Sequence, residues 1–214
     1  MRVACLTFNP FQENTYIVYD DSGECIIFDP GCQTSAEETK LTQFIDTKGL
    51  TPVRLINTHC HIDHVFGNKF VAEKYDLALE IHRDELPVLE SCPMVSRMYN
   101  VHLQPSPAPS VFLEEGDTLV FGKNTKLEIL LTPGHSPASL SFFHRKSGQL
   151  IAGDVLFLGS IGRTDLPGGN FETLISSIKT KIFPLGDATI VYPGHGSSTT
   201  VGFERLNNPF LKEV

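Results

Sequence analysis

Apolar positions along the chain repeat with two different periods. Strand-like runs rich in branched and aromatic residues fall at Arg2–Phe8, Thr15–Tyr19 and Glu24–Phe28. The turn formers Asp20-Asp21-Ser22-Gly23 separate the last two as a hairpin, and Asp29-Pro30-Gly31 closes the third run. Ser35 with Glu38 reads as a capping box, followed by the i, i+3, i+4 stripe of Leu41, Phe44 and Ile45. A strand over Val53–Asn57 precedes a helix-like run from Val65 to Tyr75, a short strand over Ala78–His82 and a helical piece from Arg83 to Glu90.

The stretch Ser91–Ser110 interrupts both periods. Pro93, Pro105, Pro107 and Pro109, with Met94, Met98 and Tyr99 among them, predict a long loop with at most one helical turn. It reads equally as a surface connector or as a lid facing substrate. Strands then recur at Val111–Leu113, Thr118–Phe121, Lys126–Leu131, Ser139–His144 and Gln149–Ala152. Behind Asn170 as cap, Phe171, Leu174, Ile175, Ile178 and Ile182 trace one helix face. A strand at Ala188–Val191 and a short helix near Thr199–Leu206 complete the series. Each half reads as several strands followed by alternating helices and strands, with no linker-like composition between them. We expect one domain over residues 1–214, with sheets in the middle and helices outside.

Composition narrows the partners. Hydrophobic residues make up 41% and charged residues 20%, enough apolar material for a sizeable core. With 17 Lys+Arg against 25 Asp+Glu the net charge is −8, which argues against nucleic acid, whose binding rests on neutralising phosphates. No apolar run approaches the length of a bilayer span, so no membrane partner is expected. Met1-Arg2-Val3-Ala4 runs straight into strand-like sequence without a signal-peptide pattern, and the five cysteines show no CxxC pair. Both point to reduced thiols and a cytoplasmic location.

The chemistry concentrates in Thr58-His59-Cys60-His61-Ile62-Asp63-His64. His59 and His61 are two apart, so in extended backbone their side chains leave on one face and Cys60 points to the other, as an inert thiol. Asp63 and His64 follow where strand gives way to helix, unlike the HExxH motif, in which two histidines lie one helical turn apart. The second half echoes this arrangement. Apolar strands end in Pro133-Gly134-His135, in Gly153-Asp154 and in Pro193-Gly194-His195. Loops leaving the same sheet end can converge, and these residues supply imidazoles and carboxylates for two metal ions. His82, His102 and His144 stand apart and are expected to be structural.

The series His59-x-His61-x-Asp63-His64, His135, Asp154, His195 resembles the ligand set of the metallo-β-lactamase-fold hydrolases. Thr58–His64, Thr132-Pro133-Gly134-His135-Ser136 and Gly153-Asp154 are most similar to the glyoxalase II (hydroxyacylglutathione hydrolase) branch. Ser160-Ile161-Gly162-Arg163-Thr164-Asp165 resembles a segment of its compact type, which lacks the C-terminal helical domain, and of the related persulfide dioxygenases. The resemblance implies an α+β fold, a four-layer αββα sandwich built from two similar halves. It implies that His59, His61 and His135 hold one ion, that Asp63, His64 and His195 hold a second, and that Asp154 bridges both, with Asp63 and Asp154 as catalytic carboxylates. Asp29 would support the metal-binding loop, and Arg163 and Asp165 would lie nearby, in a supporting position or against substrate.

Ligands of this kind, without thiolate, suit zinc, iron or manganese, and two divalent ions per chain are expected, zinc first. Shared between two ions, the pKa of a water falls from about 15.7 toward ~7, which yields a bridging hydroxide as nucleophile. A thioester leaving group has a conjugate-acid pKa of about 8.5 and departs without a strong general acid. The expected activity is therefore hydrolysis of a small-molecule thioester such as S-lactoylglutathione. The alternatives are an iron-dependent persulfide dioxygenase on the same fold and, behind it, a non-catalytic metal-binding module. A β-lactamase is disfavoured by the absence of a signal peptide.

Overall fold

The computed structural model describes residues 1–212, which pack as two compact units. The first comprises Met1–Leu113 with Val120–Thr125, the second Glu114–Leu119 with the chain from Lys126 onward.

The first unit is built on a six-stranded sheet in the order β1 (Arg2–Phe8), β2 (Glu13–Tyr19), β3 (Glu24–Phe28), β4 (Thr51–Ile56), β5 (Leu79–Ile81), β6 (Val111–Phe112). β1, β2 and β3 are antiparallel neighbours, whereas β3, β4, β5 and β6 run parallel. Parallel pairing brings the C-terminal ends of β3 and β4 to one edge, where Asp29 and the Thr58–His64 stretch emerge. β2 begins two residues before the expected Thr15, because the β1–β2 register extends to Phe8 opposite Glu13. The turn between them is closed by Asn9 and Gln12 at φ 52° and 58°.

The helices depart from the expected boundaries in instructive ways. α1 (Ser35–Lys48) is capped one residue earlier than predicted. Thr34 accepts from the Glu37 N–H and Glu37 reaches back to the Thr34 N–H, while Gly49 ends the helix at φ 62°. The Val65–Tyr75 run splits into α2 (Ile62–Val65) and α3 (Asn68–Tyr75). Between them Gly67 donates its N–H to the Pro30 carbonyl at 2.7 Å, and a Cβ there would collide with Cys32 Sγ and come within 2.8 Å of that carbonyl. The close approach requires glycine.

The predicted loop at Ser91–Ser110 is half wrong. Residues Leu86–Tyr99 form α4, which follows a 3₁₀ turn at Arg83–Glu85 and carries Pro93 within it. Proline density overstated the break, because burial of Leu89 and Cys92 holds the helix despite one missing backbone donor. Asn100 at φ 51° ends α4, and only the stretch from there to Ser110 is irregular.

Another six-stranded sheet, most of it in the second unit, has the order β14 (Thr199–Thr200), β13 (Ile190–Pro193), β10 (Gln149–Gly153), β9 (Leu140–His144), β8 (Thr125–Leu131), β7 (Thr118–Phe121). β11 (Leu156–Phe157) and β12 (Ser160–Ile161) make a small hairpin of their own. β8 and β9 are antiparallel, as are β9 and β10, while β10 and β13 are parallel. The C-terminal ends of β8, β10 and β13 therefore meet one edge. The long predicted helix is interrupted: α5 (Phe171–Ser177) passes into a π-helical turn at Ile178–Ile182 and a 3₁₀ turn at Phe183–Leu185. Leu174, Ile178 and Ile182 nevertheless remain on the buried face against Leu150, Val155 and Val191. α6 (Val201–Asn207), capped by Thr200, follows β14. Among the described residues no helix is long and apolar enough to cross a membrane.

Candidate metal centre

In the first unit the site grows from the ends of β3 and β4. Asp29, at φ 48°, turns its carboxylate onto the next strand's loop. Its Oδ1 accepts the Thr58 N–H at 2.7 Å and its Oδ2 the Thr58 hydroxyl at 2.6 Å. With the Thr58 hydrogen directed to Asp29, the Thr58 oxygen 3.1 Å from His59 Nδ1 acts as acceptor, so His59 carries its hydrogen on Nδ1 and its lone pair on Nε2. His64 is wholly buried, with Nδ1 3.2 Å from Asp29 Oδ2 and 4.0 Å from Glu13 Oε1. The Asp29 carboxylate on that side favours the hydrogen on Nδ1, which leaves Nε2 toward Asp63, whose Oδ2 is 3.8 Å away. The His59 ring lies 4.9 Å from that of His61, nearly perpendicular to it, and 4.1 Å from that of His64. Asp29, His59 and His64 each bring one ligand-type atom within 4.8 Å of the others. Cys60 points the other way, into the apolar core, and burial pushes its thiol well above the ordinary range.

Several supports were invisible in the sequence. Glu13 is fully buried, and burial raises its carboxyl well above the usual carboxylate range. An acidic residue opening an apolar strand was the available signal. Asn9 accepts the Phe11 N–H at 3.0 Å and donates to the carbonyls of Gly31 and Asp63, each at 3.0 Å. Asn57 donates to the His64 carbonyl at 3.0 Å and is paired with Asn68.

In the second unit three strand ends bring His135, Asp154 and His195 together. His135 Nε2 is 3.5 Å and His195 Nε2 3.4 Å from Asp154 Oδ2. His135 Nδ1 lies 2.7 Å from the Arg163 carbonyl; a carbonyl only accepts, so the hydrogen sits on Nδ1 and the lone pair on Nε2. β10 bulges at its end, Gly153 turns at φ 54°, and the Gly194 N–H donates to the Gly153 carbonyl at 2.9 Å, tying the Asp154 and His195 loops together. Gly162 is obligatory: a Cβ would overlap the Asp154 carbonyl oxygen and reach 3.0 Å from His135 Nδ1. Phe157 stands edge-on to His195 at 6.2 Å.

Arg163 and Asp165 are exposed and bond chiefly to each other, with two guanidinium–carboxylate bonds of 2.7 Å. The arginine holds the Asp165 carboxyl down to about 2. Arg163 thus supports His135 through its backbone, a contact that side-chain chemistry did not predict. Of the remaining histidines, His82 caps the 3₁₀ turn at the Asp84 N–H, His144 Nδ1 meets the Ser147 hydroxyl at 2.6 Å, and His102 is exposed, its carbonyl accepting from Gln33.

Each unit therefore presents a cluster of imidazole and carboxylate donors. Their lone pairs lie on Nε2 of His59 and His135, and no thiolate is among them. That donor set fits divalent ions.

Comparison with known proteins agrees. A family profile described as the metallo-beta-lactamase superfamily matches residues 8–195. A probable metallo-hydrolase, YqgX, of Bacillus subtilis is 41% identical over 99% of this chain and 98% of its own. Hydroxyacylglutathione hydrolase GloC of Haemophilus influenzae is 36% identical over 99% of this chain and 98% of its own. Among solved structures, the BLEG-1 B3 metallo-beta-lactamase superposes with a TM-score of 0.89 at 34% identity, covering 99% of this chain and 100% of that one. TTHA1623, in a di-iron-bound form, superposes with a TM-score of 0.88 at 37% identity, covering 98% of this chain and 100% of that one. The expected α+β fold class is the fold of these relatives.

Proposed function

The chain belongs to the metallo-β-lactamase superfamily, and from that membership we propose that it is a metal-dependent hydrolase whose substrate is a thioester of the S-lactoylglutathione class. We read residues 1–214 as a single hydrolase domain in which the two donor clusters act together. His59, His61 and His135 would hold one ion, and Asp63, His64 and His195 the other, with Asp154 shared. The observation that carries the reading is the orientation of the imidazoles. Thr58 and the Arg163 carbonyl fix Nδ1–H on His59 and His135, leaving Nε2 as the ligand atom on both.

Two divalent ions, zinc as the proposed metal, would supply an acidified water and positive charge for the tetrahedral oxyanion. The chain's own residues do the rest. Asp29 favours the His64 tautomer and the Arg163 carbonyl keeps that of His135. Half-buried Asp63 would accept the proton of the attacking water. Beyond Asp63 the reading needs no general acid, which suits a thiolate leaving group better than the amine released from a β-lactam. The name of the GloC relative supports the thioester reading. A second reading, an iron-dependent persulfide dioxygenase, draws on the iron bound by TTHA1623.

The test is elemental analysis of purified protein alongside turnover of S-lactoylglutathione, a β-lactam and glutathione persulfide. Two ions per chain with thioester turnover, lost in His59→Ala, is the expected result. A fully metallated protein that leaves the thioester intact refutes it, and one iron per chain with oxygen uptake selects the dioxygenase.

A further inference from the structure

The metal-binding loop is gripped from the core side as well as from Asp29. Cys60 lies between His59 and His61, and both of its backbone polar groups are bonded by side chains from one helical segment. Its N–H donates to Glu85 Oε2 at 2.9 Å, and its carbonyl accepts from the Cys92 thiol at 3.3 Å. The same thiol also approaches the Val88 carbonyl of its own helix, at 3.5 Å. Glu85 ends the 3₁₀ turn and Cys92 lies in α4, seven residues on, so two helical turns put both side chains on one face. Glu85 and Cys60 are 0% exposed and Cys92 3%.

The geometry has a specific consequence. The Cys60 N–H belongs to the peptide unit that joins it to His59, and the Cys60 carbonyl to the unit that joins it to His61. Fixing both planes fixes φ and ψ of Cys60, and with them the separation of the His59 and His61 Cα atoms from which the 4.9 Å ring pair is built. Resting on the ligand assignment proposed above, we infer that Glu85 and Cys92 are positioning residues, a clamp through which α4 sets the separation of His59 and His61. A carboxylate oxygen is a stronger acceptor than a neutral side chain and holds the loop where a neutral partner would let the peptide rotate.

The test measures metal affinity separately from folding. Metal-free wild-type protein and the Glu85→Gln, Glu85→Leu, Cys92→Ala and Cys92→Ser variants are titrated with Zn2+ against a chromophoric chelator. Their thermal midpoints are recorded without metal, and their visible spectra after loading with Co2+. Outer supports of metal ligands typically change affinity about 10–100-fold. We expect a loss of that order for Glu85→Leu, a smaller one for Glu85→Gln, which keeps an acceptor oxygen, and recovery in Cys92→Ser relative to Cys92→Ala. The Co2+ bands should shift in the variants that lose affinity. A purely structural role would lower the thermal midpoint and leave chelator competition and spectra of the folded protein unchanged, and that result overturns the clamp. Should Glu85→Leu fail to fold, the Glu85→Gln and Cys92 variants decide by the same criteria. Wild-type protein that takes up no metal overturns the ligand assignment and the clamp together, whereas wild-type uptake with unaltered variants overturns the clamp alone.

Discussion

Replacing Asp29 separates the two duties of its carboxylate. In Asp29→Ala the Thr58 N–H and hydroxyl lose their acceptor in a fully buried setting. Leaving buried donors unsatisfied costs about 1–3 kcal/mol each. Alanine at φ 48° adds about 1 kcal/mol of left-handed strain. The sum, about 3–7 kcal/mol, is comparable with the whole stability of many domains, commonly about 5–15 kcal/mol. Asp29→Asn behaves differently. Asparagine tolerates the left-handed backbone and keeps an oxygen for the Thr58 N–H, so about 1–2 kcal/mol is lost. Its amide NH2, however, replaces the oxygen 3.2 Å from His64 Nδ1. A donor there favours a lone pair on Nδ1 and moves the hydrogen to Nε2, the atom proposed to meet metal. The asparagine variant should therefore lose far less stability than Asp29→Ala yet bind metal about 10–100-fold more weakly than wild type. Urea unfolding of metal-free protein and chelator competition measure the two quantities. Equal losses of stability in both variants, or an asparagine variant with wild-type metal affinity, would refute the tautomer argument.

Two further outcomes follow from local geometry. Gly162→Ala forces a methyl group into the Asp154 carbonyl and against His135, so it should cost about 1–3 kcal/mol of stability and sharply reduce metal content per folded chain, read by calorimetry and elemental analysis. Glu37 is partly buried, which alone would raise its pKa, but the N–H groups of Asn9, Gln33 and Thr34 bring it below the ordinary glutamate value. A depressed folded-state pKa means stability that is present at neutral pH and is lost as pH falls below about 4.3 and through the folded value. The thermal midpoint of Glu37→Gln should thus lie below wild type at pH 7, with the gap narrowing at pH 3; a gap independent of pH would contradict it.

The sequence was most informative where one residue type admits few explanations. A histidine or aspartate just past an apolar strand is costly unless used, and His135, Asp154 and His195 do meet at one sheet edge. Periodicity found most strands and α1 but misplaced boundaries wherever tertiary contacts decided them. Gly67 divides α2 from α3 for the sake of Pro30 and Cys32, partners remote in sequence. Pro93 argued against helix locally, while the buried face of Leu89 and Cys92 prevailed. The supports of the site were least legible, because Glu13, Asn9 and Glu85 act across long loops and no spacing rule links Glu85 to Cys60. Arg163 is implicated by the resemblance of its segment, yet its contact with His135 is made by its carbonyl, an atom every residue possesses.

The β1–β2 turn has a consequence for engineering. Through one asparagine, which also accepts the Phe11 N–H within the turn, it is fastened to the backbone at Gly31 and at Asp63, two places remote in sequence. Such a turn behaves less as an independent connector than as a keystone. Lengthening it, grafting an epitope into it or randomising it in a library would release the Gly31 and Asp63 carbonyls together. A search for altered activity should therefore keep Asn9 fixed and vary the chain around it.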